Sequence, residues 1–263
     1  SLTYNTLNSS FKPTDGYGFS TYSWAGFTGV VSGMNEKGLS ITLNAAKSDI
    51  PTAAKEPISL LAREILQYAK NIDEAIEIAK KRKIFVSESL MIGSALDNKT
   101  IIIEKTPTKL DIYDNHKDLV VCSNHYQSDL FLDDKLNAEN IDMTDSKYRY
   151  DRMQNLIESK KPLSYTSAAT ILRDQLGFDN KNIGLGNPKS INQLIAYHSV
   201  IFKPTSLQMW VSTYPFQMGE FLCYDLKSFF LDPKLLSNID SLTISKDIFT
   251  DTKEFSDFKL YKK

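Results

Sequence analysis

The chain has 263 residues, a formal net charge of −1, and 41% hydrophobic against 24% charged residues. That is long enough to bury a sizeable core as one domain or two small ones, with the ordinary balance of a soluble globular protein. The near-zero charge leaves no electrostatic footprint for nucleic acid, and no run approaches the roughly eighteen apolar residues of a membrane span.

In chain order, Ser1–Asp15 reads as one strand and a turn. The polar opening Ser1–Ser10 has no signal-peptide pattern, although a signal could have been removed with whatever preceded it. Gly16–Trp24 carries Tyr17, Phe19, Tyr22 and Trp24, a strand-rich composition. Next comes a hairpin. Val30, Val31 and Ser32 lead into the polar turn Asn35-Glu36-Lys37-Gly38, and Leu39, Ile41 and Leu43 then alternate with Ser40, Thr42 and Asn44. Lys47–Glu56 reads as a loop. Pro57 suits a helix start, and Ile58, Leu61, Ala62, Ile65, Leu66 and Ala69 follow at helical spacing. Asn71–Lys83 repeats that pattern, with Asp73 and Glu74 early and Lys80–Lys83 late, as the helix dipole favours.

Strands resume at Ser89–Ala95, Thr100–Lys105 and Lys109–Tyr113, and Leu119–Cys122 reads as a short strand running into Ser123-Asn124-His125. Gln127–Thr144 reads as a loop. Ser146–Ser159 and Thr166–Leu176 read as helices, the second stopped by Gly177. Asp179–Ser190 is a loop whose Gly184-Leu185-Gly186 lacks the feeding strand and the spacing of a phosphate loop. Leu194–Phe202, Gln208–Thr213 and Gly219–Leu226 are the last strands, and Phe230–Lys263 reads as a C-terminal extension. Helices segregated from mostly antiparallel strands make the class α+β, with two sheets covered by helices.

Two cysteines, Cys122 and Cys223, could pair but make no disulfide framework. His116, His125 and His198 show no metal-ligand spacing, so a metal enzyme is not expected. His198 alternates into an apolar strand and reads as a core histidine.

Four segments together resemble one family. Gly33-Met34-Asn35-Glu36-Lys37-Gly38-Leu39, followed by a strand ending in Asn44-Ala45, resembles the acyl-coenzyme A:6-aminopenicillanate acyltransferases, members of the N-terminal-nucleophile hydrolases. Ser123-Asn124-His125 resembles their Thr-Asn-His segment. Asp145-Ser146-x-x-Arg149-x-x-Arg152-Met153 resembles their Asp-Ser-x-x-Arg-x-x-Arg-Met helix, and Ala196–Val211 resembles a late hairpin. The matches span roughly residues 17 to 226 in the family's order.

The resemblance implies a four-layer αββα sandwich over residues 1–229, with 230–263 as the extension. It implies cleavage of a linear amide, or acyl transfer, through an acyl-enzyme intermediate and without a cofactor. Asn124 would be the catalytic oxyanion donor, and Asn44, His125 and Gln193 would bind substrate. His125 could equally cap a strand. Gln193 stands where the penicillin acyltransferase has an arginine, a departure. Arg149 and Arg152 read first as a structural salt-bridge face. The aromatic run Tyr17–Trp24 hints at an acyl pocket, but aromatic strands are more often core.

The expected partner is a small amide or acyl donor, together with a cleaved N-terminal fragment of the same precursor. The family is often exported in bacteria, but this sequence carries no address. An N-terminal nucleophile uses its own α-amine as base, and both cysteines are internal. The expectation is that the nucleophile strand lies outside these residues and leaves an open edge or groove. A non-catalytic relative acting as a ligand-binding module, and a serine enzyme using Ser1, are the alternatives.

Overall fold

The computed structural model describes residues 6–47, 55–235 and 237–262. Ser1 and most of the loop expected at Lys47–Glu56 lie outside the described residues. The first half builds β1 (Thr6–Phe11), β2 (Phe19–Trp24), β3 (Ser32–Asn35), β4 (Leu39–Ala45), α1 (Ile58–Tyr68), α2 (Ile72–Lys81), β5 (Glu88–Ser94), β6 (Lys99–Lys105) and β7 (Leu110–Tyr113). These seven strands form one antiparallel sheet in sequence order. After it come α3 (Asp129–Leu132), α4 (Lys135–Met143), α5 (Ser146–Ser159), α6 (Tyr165–Leu172), β8 (Val200–Lys203), β9 (Gln208–Ser212), β10 (Phe221–Asp225), α7 (Leu226–Leu231) and α8 (Lys253–Tyr261). β8, β9 and β10 form a second antiparallel sheet, with β9 in the middle.

The β3–β4 hairpin is fixed by Asn35, which is fully buried. Its side-chain oxygen accepts from the backbone of Lys37 and Leu39, closing the turn. Its amide donates to the carbonyls of Leu66 and Ala69 at the end of α1, tying helix to sheet. Gly38 has φ +72, and a Cβ there would meet Ala95 and the Pro204 carbonyl. A left-handed backbone with no lateral room requires glycine.

Alternation along the strands sorts the layers. Leu39, Ile41, Leu90, Ile92, Ile101 and Ile103 face α1 and α2 and pack on Leu61, Ile65 and Ala75. On the opposite face Met34 and Tyr22 meet Val200, Phe202, Met209 and Val211 of the second sheet. That sheet's far side carries Trp210 and Cys223 against Ala169 of α6, with the Tyr165 ring stacked 4.9 Å from the Trp210 ring. The order is helix, sheet, sheet, helix: the four-layer αββα sandwich.

Several expectations shift. Leu119–Cys122 joins no described ladder; side chains bond its carbonyls instead, Asn115 donating to that of Leu119 and Gln127 to that of Val121. Residues 127–144 are not all loop, because α3 and α4 lie within them. Their periodicity is masked because the buried face of α4 is made of Asn137 and Asn140, each hydrogen-bonded, rather than of apolar residues. β8 begins only at Val200, and α6 ends at Leu172, before Gly177. The described residues of 230–263 fold back on the body. Ile244 and Asn238 bridge to β10, the Trp210 indole donates to Leu242, and Phe255 packs with Leu194 and Met218. Both cysteines are buried free thiols.

Candidate active site

Asn124 stands where the segment after β7 crosses to the end of β4. It is half-buried, and each of its four polar atoms makes a hydrogen bond. Its side-chain Nδ2 donates to the Ala45 carbonyl at 2.9 Å, and its Oδ1 accepts from Arg149 at 2.9 Å. Its backbone N–H donates to Ser146 Oγ at 2.8 Å, and its carbonyl accepts from Asn140 at 2.6 Å. An amide nitrogen has two donors, so one N–H has no partner among the described residues. The guanidinium on Oδ1 draws electron density from the amide and strengthens that remaining donor.

Asn44 is brought to the same place. It faces inward with Ser40 and Thr42, pairs in register with Ser89, and precedes the carbonyl that Asn124 grips. It is half-buried, and no described residue hydrogen-bonds its amide. His125 is next to Asn124 but lies inside, 4% exposed, with Nδ1 2.7 Å from Ser146 Oγ and its ring edge on Tyr150. Burial holds its pKa below the usual histidine value, with Lys147 and Arg149 pushing the same way and Asp151 opposing. Its observed contacts are those of a strut; a substrate-binding role would need it uncovered. Gln193 is half-buried, and no hydrogen bond of its side chain joins it to Asn124. The neighbouring Asn192 is fully buried and structural, donating to the Phe216 carbonyl and accepting from Leu194.

The two arginines of α5 divide. Arg152 is buried and holds Asp174 at 2.9 and 3.0 Å and Asn180 at 3.0 Å, the structural ion pair expected of both. Arg149 instead reaches the Asn124 side chain and the Pro188 carbonyl. Sequence spacing put both on one helix face but carried no sign of what each would meet.

Beneath the site runs a polar row on the inner face of the large sheet: Asn44, Ser89, Glu104 and Asp111. Glu104 is fully buried and takes three hydrogen bonds from Gln127 and Ser128, anchoring the segment just after Asn124. Burial nevertheless raises its pKa. Cys122 is buried, and its thiol is pushed up to about 12, chiefly by burial and then by Glu104. A thiol so poorly ionised is a poor nucleophile. Among the described residues no group of three or more His, Cys, Asp or Glu could hold a metal, and no helix is long and apolar enough to cross a membrane.

No curated protein matches the chain. Among solved structures it is similar to the Caenorhabditis elegans N-acylethanolamine-hydrolyzing acid amidase ortholog, with 15% identity, TM-score 0.50, and 81% of each chain covered. It is also similar to a variant of the conjugated bile acid hydrolase from Clostridium perfringens, with 15% identity, TM-score 0.50, and coverage of 92% of this chain and 87% of that one. At this identity the likeness shows the fold, that of the N-terminal-nucleophile hydrolases. The family model described as acyl-coenzyme A:6-aminopenicillanic acid acyl-transferase matches residues 1–212. With most of its length matched, the chain belongs to that acyltransferase family.

Proposed function

We propose that the chain forms the oxyanion side of an amide-hydrolysing or acyl-transferring site, with Asn124 as the catalytic donor. The observation that carries this reading is the double grip on the Asn124 amide by Ala45 and Arg149, which leaves one polarised N–H unspent. Attack on the substrate carbonyl carbon places negative charge on its oxygen. The C–N bond then breaks, the amine leaves with a proton, and an acyl-enzyme remains for water or a second amine to take up. A rigid donor aimed at that oxygen supplies about 100- to 1000-fold in rate. Asn44, with its free amide beside the Asn124 anchor, contacts substrate. Gln193, half-buried, is the further residue assigned to substrate binding.

The substrate is a small linear amide or acyl donor. N-Acylethanolamines and conjugated bile acids, named for the two structural relatives, are linear amides and form the first panel to test. The high thiol pKa of Cys122 argues for a nucleophile from elsewhere. We assign it to an extended strand along the outer edge of β8, which pairs with no described strand. A cleaved fragment of the same precursor would carry it.

The test is trapping of an acyl-enzyme by the full-length protein with these amides, followed by peptide mass mapping. An acyl adduct at a chain-terminal residue is expected. An adduct on Cys122, or Asn124→Ala turning over like the parent, would overturn the assignment.

A further inference from the structure

Two of the four grips on Asn124 come from one turn of α5. Ser146 holds its backbone N–H and Arg149 its side-chain oxygen, and residues three apart share a helix face. Ser146 is the first residue of α5 and is fully buried. A serine at a helix start ordinarily turns its hydroxyl onto the free N–H groups of its own helix. Here the N-cap is Asp145, with no side-chain cap bond, and the Ser146 hydroxyl points away into a buried polar cluster. Its Oγ lies 2.8 Å from Asn124 N, 2.7 Å from His125 Nδ1 and 3.2 Å from Ser123 Oγ. The Ser123 hydroxyl in turn donates to the Ser146 carbonyl at 3.0 Å. Three consecutive residues, 123 to 125, are thus fastened to one side chain.

We infer that Ser146 is a positioning residue for the chemistry at Asn124, an inference that rests on the reading of Asn124 given above. Its hydroxyl fixes the Asn124 backbone while Arg149 fixes the side-chain oxygen, so the helix sets both ends of the residue. His125 buttresses the hydroxyl from the far side. Without the first hold the amide swings about its own backbone, and a displacement of about 1 Å in a catalytic group costs on the order of 100-fold. The substrate does not touch Ser146, so its loss lowers kcat and leaves KM nearly unchanged.

The experiment uses the full-length protein and N-acyl p-nitroanilides as the probe amides, with Asn124→Ala run alongside. Ser146→Ala should lower kcat by about 10-fold or more with KM within about two-fold. It should also shift or broaden the Asn124 side-chain amide resonances, assigned by their loss in Asn124→Ala. Ser146→Thr, which keeps the hydroxyl, should recover most of kcat and the parent resonances. A folded Ser146→Ala with parental kcat and unmoved resonances overturns the inference, as does Ser146→Thr impaired as deeply as Ser146→Ala. If Ser146→Ala does not fold, Ser146→Cys, of similar size and a weak acceptor, carries the test by the same criteria. Unchanged turnover in Asn124→Ala sinks the reading of the site instead, and leaves the resonances to decide whether Ser146 orders Asn124.

Discussion

The two faces of the seven-stranded sheet are built from alternate residues of the same strands, yet they do different things. The helix-covered face is a continuous apolar surface, closed by α1 and α2 along β4, β5 and β6. The inner face is mixed. Near β2 and β3 Met34 and Tyr22 meet the second sheet. Across β4 to β7 a polar row, Asn44, Ser89, Glu104 and Asp111, runs beside the less polar row Thr42, Met91, Ile102 and Tyr113. One face supplies stability through apolar burial, and the other buries polar groups, Ser89 and Glu104 among them, near Asn124. The same division recurs on α5, where Arg152 is sealed against Asp174 and Arg149 reaches the candidate site.

The largest effect should come from breaking that second division. Arg152→Ala leaves Asp174 buried without its partner, and loss of one member of a buried pair costs about 3–5 kcal/mol. Arg149→Ala, whose partners are a side-chain amide and a carbonyl, should cost clearly less stability and more turnover. Urea unfolding of both variants beside steady-state kinetics decides this, and equal destabilisation would erase the contrast.

Asn124→Ala should lower turnover about 100- to 1000-fold, equivalent to roughly 2.7–4 kcal/mol, with the fold intact by circular dichroism. A comparable loss of stability instead would move Asn124 to the structural side of the comparison.

Neighbours on β4 test the two faces directly. Ile41 is fully buried under α1, and truncation to alanine should cost about 2–5 kcal/mol. Thr42, one residue on and half-buried, should change stability by only about 0.5 kcal/mol on the same substitution. Similar costs in chemical denaturation would mean that the inner face is packed more fully than its polarity suggests.

A further expected effect is a pH dependence at the polar end of the helix-covered face. Glu88 on β5 lies opposite Lys105 on β6, and burial raises its carboxyl to about 7 from 4.5. The folded chain therefore binds this proton more tightly than the unfolded chain does. The group's contribution makes stability fall as pH rises through the window from about 4.5 to about 7. Glu88→Gln should flatten that part of the stability–pH curve, and an unchanged slope would show that Glu88 does not titrate there.

Much of this was legible in the residues themselves. Period-two alternation from Leu39 to Asn44 and helical spacing from Ile58 to Ala69 fix strand and helix locally, because burial on one face selects each period. The Ser123-Asn124-His125 motif drew attention to the segment on which the proposed site is built. Other features carried no local signal. The stripe of α4 is asparagine, so no hydrophobic period announced it. The strand expected at Leu119–Cys122 depended on a partner, and side chains took the ladder's place. Arg149 and Arg152 look alike along the chain, since both sit on one helical face. Only the tertiary structure puts Asp174 against one and Asn124 against the other. Periodicity is a property of neighbours in sequence, whereas the partner of a charge or of a buried hydroxyl such as that of Ser146 is set by segments that meet only after folding.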